Sequence, residues 1–352
     1  MNQNKPSVSI IILTSNGLPL LKRYLPFVNL TNYPELEILI ADNGSNDGTQ
    51  EWVSLHYPHV RFLRLGRNYG YAEGNNLAAR SASGEILLFL NNDAKPEDPD
   101  WLSPVSELFA SNDADIVQPK MLSVPNPGHF DYAGAAGGFL DWLGYPFCRG
   151  RIFDSVEKDS GQYDKQVTPV FWASGAAFAI RKDLFLELEG FDTLFRFHME
   201  EIDLCWRALR LGKRILFQPK SVVLHQGGGS LRTESPDKTF FNYRNSLLML
   251  VKNLERYLFP KLFLRLLLDG VSGIRFLIQG RPLHTVAVIR AHFSFYASLK
   301  QVLRYRTDDR HRANAEIPKQ LVLPRLIILQ RFLYGKKVFS EVESLFVNGR
   351  GQ

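Results

Sequence analysis

The chain has 352 residues, 45% of them hydrophobic, and carries 42 Lys and Arg against 36 Asp and Glu, a formal net charge of +6 at pH 7. That is enough chain and enough apolar content for one large catalytic domain with a buried core, plus an appendage. Its two cysteines, Cys148 and Cys205, stand outside any CxxC pair, which excludes a disulfide framework and points to a reducing cytosol.

The opening MNQNKPSVSIIILTSN has one lysine and a short apolar run that begins a β-type segment. It lacks the charged leader, longer apolar core and small-residue cleavage site of a signal peptide. Apolar β-type runs are then expected at 8–14, 36–41, 60–65, 86–90 and 116–118. Helical stretches are expected at 18–27, 49–56, 72–80 and 101–110. Strands alternating with helices predict an α/β domain with a largely parallel, covered sheet, which binds ligands outside the carboxyl ends of its strands. Thr14, Asp42 and the run Asn91, Asn92, Asp93 fall there.

Residues 123–168 are rich in Gly, Pro and aromatics with no sustained period, and long loops are expected, as a lid or acceptor wall. Regular structure returns with a strand at 176–180, helices at 182–188 and 201–211, and a strand near 214–217. From 240 to about 306 the pattern is helical. Residues 241–352 hold 19 Lys and Arg against 7 Asp and Glu, a net +12, whereas residues 1–240 hold 23 against 29, a net −6. A basic tail interleaved with Leu, Phe, Ile and Tyr suits an anionic surface, membrane or nucleic acid. LFPKLFLRLLLDGVSGIRFLIQG is broken by Lys261, Arg265, Asp269 and Arg275, which argues against a spanning helix. It suits a helix lying in the membrane interface, or else a bundle packed on the catalytic domain or a second subunit.

Three patches carry the chemistry. In ADNGSNDGT, Asp42 closes an apolar strand and Asn43 follows it into near-pure turn chemistry. This is either a βα turn with a helix cap or a carboxylate for a base or ribose. In LLFLNNDAKP, four apolar residues run into Asn91, Asn92 and Asp93. A carboxylate at the mouth of a buried strand needs a cation or donor, and a divalent ion there would neutralise a departing diphosphate. In HMEEIDLCWR, Ile202, Cys205, Trp206 and Leu209 set a helical period, so Glu200, Glu201 and Asp203 crowd one first turn. The helix dipole favours acids there by roughly 0.3–1 kcal/mol each. Three together also repel and raise their pKa values, as a general base requires. Between these, Gly70 and Gly74 bracket a helix start whose amides could face a phosphate. His225, in VVLHQGGGS, is either a satisfied core histidine or a ligand completing a mixed oxygen and nitrogen site with Asp93, which suits Mn²⁺ better than Mg²⁺.

Together the patches resemble the family 2 inverting glycosyltransferases with the GT-A fold, within the bacterial rhamnosyltransferase-like branch that builds cell-surface polysaccharides. IIILTSNG, ADNGSNDGT, NYGYAEGNN, LNNDAKP, WASGAAFAIRKDLF, GFDTLFRFHMEEIDLCWR and VVLHQGGGS follow the family's order over about residues 7–230. The resemblance implies a mixed, mostly parallel sheet flanked by helices, with a catalytic domain at 1–239 (nucleotide-binding to 120, acceptor and catalytic beyond) and a basic helical extension at 240–352. It implies donor-binding roles for Thr14, Asn16, Asp42, Asn43, Asn68, Gly70, Tyr71, Asn75, Asn91 and Asn92. Metal ligation falls to Asp93 and His225, an acceptor-side wall to Trp172, Ser174 and Gly175, and catalysis to Glu201 with Glu200 or Asp203 as an orienting partner. Asn91 stands where the family's metal motif usually begins with Asp. Glu201 stands where the acidic pair usually ends in Asp, which leaves the choice between Glu200 and Glu201 open.

The implied reaction transfers a sugar from a UDP-, dTDP- or GDP-linked donor to a glycan or lipid-linked acceptor, with Mn²⁺ or Mg²⁺, at the cytoplasmic face of the membrane. Two alternatives stand beside it. A nucleotidyltransferase would show a Gly-rich, basic phosphate loop after the first strand, where this chain has TSNGLPLLK. A non-catalytic polyanion- or lipid-binding protein would be expected to lose Asp93 or the acidic trio. Nucleic acid is not an expected partner.

Overall fold

The computed structural model describes residues 5–227, 235–310 and 315–347. The strand β1 (Val8–Thr14) is buried almost throughout, because it lies mid-sheet with both faces covered. Its side chains alternate: Ile11 points into one core layer, Ile10 and Ile12 into the other. Helix α1 (Leu18–Val28) leads to β2 (Leu36–Asp42), α2 (Thr49–His56) to β3 (Arg61–Arg64), and α3 (Gly70–Ser81) to β4 (Ile86–Leu90). The expected bounds of these seven elements differ from the observed ones by two residues at most.

Next come β5 (Ala94–Pro96), α4 (Ser103–Ala110) and β6 (Ile116–Ser123). Residues 123–168 do not form the long loops expected of them. They contain β7 (Gly138–Asp141), β8 (Pro146–Cys148), β9 (Arg151–Ile152) and β10 (Ser155–Val156), which build a second small sheet. These strands are two to four residues long, too short for a period-2 pattern to register. The chain returns through β11 (Thr168–Pro169), β12 (Ala177–Arg181), α5 (Lys182–Glu187), α6 (Glu200–Arg210) and β13 (Ile215–His225).

The nine-stranded main sheet runs β11-β13-β6-β12-β4-β1-β2-β3, with β5 paired to β13. Strands β3, β2, β1 and β4 are parallel, as are β6 and β13, while β12 runs antiparallel between β4 and β6. One edge therefore collects the carboxyl ends of β1, β2, β4 and β13 and the amino end of β12. Thr14, Asp42, Asn91, His225 and Gly175 meet there.

The boundary expected at 239/240 falls inside α7 (Pro236–Asn253), whose residues 247–251 are buried in the main core. Helices α8 (Leu258–Ile278) and α9 (Pro282–Arg310) pack on α7 and on each other. Strand β14 (Val322–Leu323) joins the small sheet beside β7. After α10 (Ile327–Phe332) and into α11 (Ser340–Val347), Phe339 and Phe346 stack on Phe139 and Phe147. The tail thus folds back onto the catalytic half instead of hanging from it.

Candidate active site

The side expected to hold the nucleotide is built from loops that cap one another. The Asn43 side chain ties β2 to the segment before α3: its amide donates to the Gly70 carbonyl at 3.0 Å, and its carbonyl accepts from the Tyr69 N–H at 2.8 Å. Asn68 accepts from the Gly70 N–H at 2.8 Å and donates to Ser15 at 3.1 Å. Asp42 is buried and accepts from the Ser45 N–H at 3.0 Å. Asn16 accepts from the Asn46 N–H at 2.9 Å and so joins the first two loops. Asn92 donates to Thr14 Oγ1 at 3.0 Å. A Cβ at Gly17 would collide with both Thr14 Oγ1 and the Asn92 amide, so only glycine permits this approach. Asn75 turns its amide back to the Tyr71 carbonyl within α3, at 3.0 Å.

Pairing of β13 with β5 sets His225 opposite Ala94, and so brings the ring to Asp93. His225 Nε2 lies 3.1 Å from Asp93 Oδ1 and 3.3 Å from the Asn91 amide nitrogen. On the other side, Nδ1 lies 3.0 Å from Asp131 Oδ1. All of Asp93, Asp131 and His225 are buried. Burial opposes the charged imidazolium, yet hydrogen bonds and charge from Asp131 and Asp93 outweigh it and raise His225 to about 10. A place that holds a proton so firmly between carboxylates favours a cation. Among the described residues no three His, Cys, Asp or Glu side chains are grouped to hold a metal. Asp93 and His225 can supply two ligands, with Asp131 fixing the ring, and a hard divalent ion commonly completes such a shell with phosphate and water. The residues fit a metal of that kind. The patch VVLHQGGGS lies outside the described residues from Gly228 onward.

The acidic turn sits one strand across. The Asn91 N–H donates to the Ala176 carbonyl at 2.9 Å. A Cβ on neighbouring Gly175 would lie 3.3 Å from the Tyr71 hydroxyl and 3.7 Å from Glu201 Cβ. Tyr71 donates to the Gly175 carbonyl at 2.6 Å, which links the start of α3 to the carboxylates. Burial raises Glu200 well above the usual carboxylate range, reinforced by the charges of Glu201 and Asp203. Burial raises Glu201 to about 7, with backbone hydrogen bonds at the helix start offsetting part of it. One carboxyl oxygen of each finds no hydrogen-bond partner among the described residues.

The family model for glycosyl transferase family 2 matches residues 9–186. This chain belongs to that family. The O-antigen biosynthesis protein RfbC of Myxococcus xanthus is 29% identical over 239 residues, covering 65% of this chain but 18% of that protein. The N-acetylglucosaminyl-diphospho-decaprenol L-rhamnosyltransferase of Mycobacterium tuberculosis is 27% identical over 235 residues, covering 61% of this chain and 75% of its own. The chain thus spans less than a fifth of the first relative and three quarters of the second. The mannosyltransferase PcManGT from Pyrobaculum calidifontis, solved with GDP-Man and Mn²⁺, superposes with a TM-score of 0.53 at 17% identity, over 83% of this chain and 88% of that one. That likeness is one of fold, and the fold is GT-A.

In this family 2 glycosyltransferase three expected site residues sit elsewhere than anticipated. Asp203 is fully buried and accepts from Arg207 at 2.8 Å, Lys252 at 3.0 Å and Asn253 at 2.7 Å. Burial opposes its charge, but Lys252 and Arg207 overcome that and hold it below its usual range. It anchors α6 to α7 and has no oxygen left for the pocket. Trp172 is buried against Gly138, with its ring nitrogen donating to the Phe139 carbonyl at 3.0 Å. Ser174 is buried too, donating to the Ala133 carbonyl and accepting from the Ala176 N–H at 3.1 Å. Trp172 clamps the small sheet to the main one and Ser174 ties the segment before β12 to the turn at Ala133, so neither forms an open acceptor wall; Gly175 alone of the three faces Glu201.

Besides Lys252 and Asn253 on Asp203, Asp131 and Asn245 carry no signal in the sequence. Asp131 lies in the aperiodic stretch, where nothing marked it. Asn245, in α7, points its amide at the carbonyls of Phe195, Phe197 and His198, at 2.8, 2.7 and 2.9 Å. It thereby holds His198 and Met199, both at positive φ, at the entry to α6. Two such non-glycine residues in succession cost about 1–3 kcal/mol each, and the reading of α7 as an appendage concealed the clamp that offsets them.

Proposed function

We propose that this glycosyltransferase moves a sugar from a nucleoside diphosphate to an acceptor hydroxyl, with inversion, using Glu201 as general base. The observation that carries the reading is the Glu201 carboxyl: partly unpartnered, raised to about 7, and packed beside Gly175 at the strand ends that also bear Asn91 and Asp93. A base working near neutrality needs a pKa close to that value. Burial and the neighbouring Glu201 charge raise Glu200 as well and favour its protonated form, and unequal carboxyls divide acid from base. Glu201 takes the proton of the acceptor hydroxyl, whose oxygen attacks the anomeric carbon from the face opposite the nucleotide. One carboxylate suffices for a single displacement.

Thr14, Asn16, Asp42, Asn43, Asn68, Gly70, Tyr71, Asn75, Asn91 and Asn92 frame the nucleotide and sugar, directly or by holding their loops. Asp93 and His225 would hold a divalent cation, Mn²⁺ or Mg²⁺, which when bound neutralises charge on the departing diphosphate. Asp131 orients the His225 ring for that task. The acceptor is a glycan, most consistently one carried on a lipid at the cytoplasmic face of the membrane, a reading supported by the basic, apolar tail. The alternatives of a nucleotidyltransferase or a non-catalytic binder gain no support from this geometry.

The test is thermal unfolding of the full chain with UDP, dTDP and GDP, each with and without Mn²⁺. A ligand that binds only the native state raises the unfolding temperature. One nucleotide should do so in a metal-dependent manner; no response to any of the three would overturn the reading.

A further inference from the structure

The helix α8 is folded inside out. Its three buried residues are Arg265, Asp269 and Gly273, at intervals of four. Its opposite face, at intervals of three and four, is Phe259, Phe263, Leu267, Val271, Ile274 and Ile278, all exposed, with Phe259 at 83% and Ile278 at 81%. Arg265 is spent on Ser246 at 2.5 Å and over the Tyr145 ring, and Asp269 on His292 at 3.2 Å. Arg265 and Asp269 are thus satisfied inward, Leu258, Leu262 and Leu266 lean on the core beside them, and the Phe and Ile row faces out. Helix α9 extends this face with Leu283, Val286, Ile289 and Phe293, while burying Ala287, Val288, Ala291 and Phe295 on its other side. Exposed apolar rows on two helices packed side by side mark a docking surface.

Charge selects the occupant. Residues 258–306 contain eight Lys and Arg and a single acid, the buried Asp269, so no carboxylate is exposed along the face. Arg275, Arg290 and Lys300 are exposed on the same two helices. Two copies of so basic a surface would repel one another, whereas anionic headgroups over acyl chains complement both its charge and its apolarity. No helix among the described residues is long and apolar enough to cross a membrane, so contact is in the plane of the interface.

Position ties the face to the pocket. At the α8–α9 turn, His284 Nδ1 lies 2.8 Å from Thr239 Oγ1, and the Arg290 guanidinium lies 5.5 Å over the Phe240 ring. Both partners are in the first turns of α7. There Lys238 covers the Tyr132 ring, next to Asp131, which faces His225.

We infer that the outward face of α8 and α9 docks on an anionic phospholipid bilayer and presents the strand-end pocket to an acceptor held there. This rests on the proposed lipid-linked acceptor for its purpose, though not for its test. The test is flotation of the full chain with phosphatidylcholine vesicles, with and without phosphatidylglycerol, alongside sedimentation without lipid. The chain should float only with phosphatidylglycerol vesicles and release as salt rises. Phe263→Ser with Ile278→Ser should weaken flotation at least about tenfold, and Arg275→Gln with Lys300→Gln should weaken it and flatten its salt dependence. Each pair changes exposed side chains, so unfolding temperature and nucleotide response should match the parent. Failure to float, or a dimer in sedimentation that Phe263→Ser with Ile278→Ser dissolves, would overturn the inference. Nucleotide response with Mn²⁺ is read separately, so loss of docking and loss of the proposed transfer are distinguishable.

Discussion

Asp131 Oδ1 lies 3.0 Å from His225 Nδ1, on the side of the ring away from Asp93. A carboxylate behind a histidine fixes its tautomer and makes it the better ligand, and removing such a partner commonly lowers metal affinity about 10–100-fold. Asp131→Asn should therefore weaken Mn²⁺ by that factor in a metal titration followed by nucleotide-dependent unfolding. Unchanged affinity would reduce Asp131 to a structural acceptor of the Ala133 N–H, which it also holds at 2.8 Å.

Asp93→Ala tests the site from its other side. It removes the carboxylate that lies 3.1 Å from His225 Nε2 at the strand end. The difference in unfolding temperature with and without Mn²⁺ should vanish for every nucleotide. A difference that survives would move the metal to other residues.

Glu201 gives a prediction in two measurements. Its basic form exists above about 7, so transfer should rise as pH climbs through that value and then level off. Glu201→Gln should abolish transfer while leaving nucleotide binding intact. The raised pKa also means that folding takes up a proton between the unfolded value near 4.5 and the folded value near 7, so native stability falls as pH rises through that window. Glu201→Gln removes this loss and should be the more stable protein at pH 8, by on the order of 1–3 kcal/mol. Near-normal turnover would transfer the role to Glu200.

Asp203 should behave as an anchor. Replacing it with Ala leaves Lys252 and Arg207 buried without their shared partner, a change that typically costs 3–5 kcal/mol, here taken as about that range. Denaturant unfolding should show the loss. Because its folded pKa is depressed below the usual 3.8, the contribution is full above that value and fades as pH falls through the folded one. Equal stability of Asp203→Ala and the parent at pH 7 would sink this account.

Gly17→Ala probes the approach of β1 to the Asn91–Asp93 loop. The new methyl group must displace Thr14 Oγ1 or the Asn92 amide, at a cost of about 1–3 kcal/mol. Calorimetric affinity for the nucleotide diphosphate should fall roughly 5- to 150-fold. Undiminished affinity would show that this contact does not shape the donor site.

The strand-end half of the pocket was legible because its signals are local. Apolar runs such as 86–90 stop abruptly at Asn, Asn and Asp, and a parallel sheet places such stops on one edge. Asp131 was hidden by strands too short to show alternation. Asn245, Lys252 and Asn253 were hidden for another reason: their partners lie about fifty residues away, and polar side chains on a helix read as a solvent face until the helix is seen buried. The period of α8 was visible and left two orientations open, an apolar face to a membrane interface or to a packed bundle; only the inward pairing of Arg265 and Asp269 separates them.

The grip of Asn245 and Asn253 on α6 has a practical bearing on where this enzyme can be shortened. A clone stopped just before α7, close to the expected boundary at 239, would retain every residue of the proposed sugar-transfer site. It would nonetheless release the two left-handed residues ahead of Glu200 and strip Asp203 of two of its three partners. The smallest active fragment must therefore run at least through Asn253.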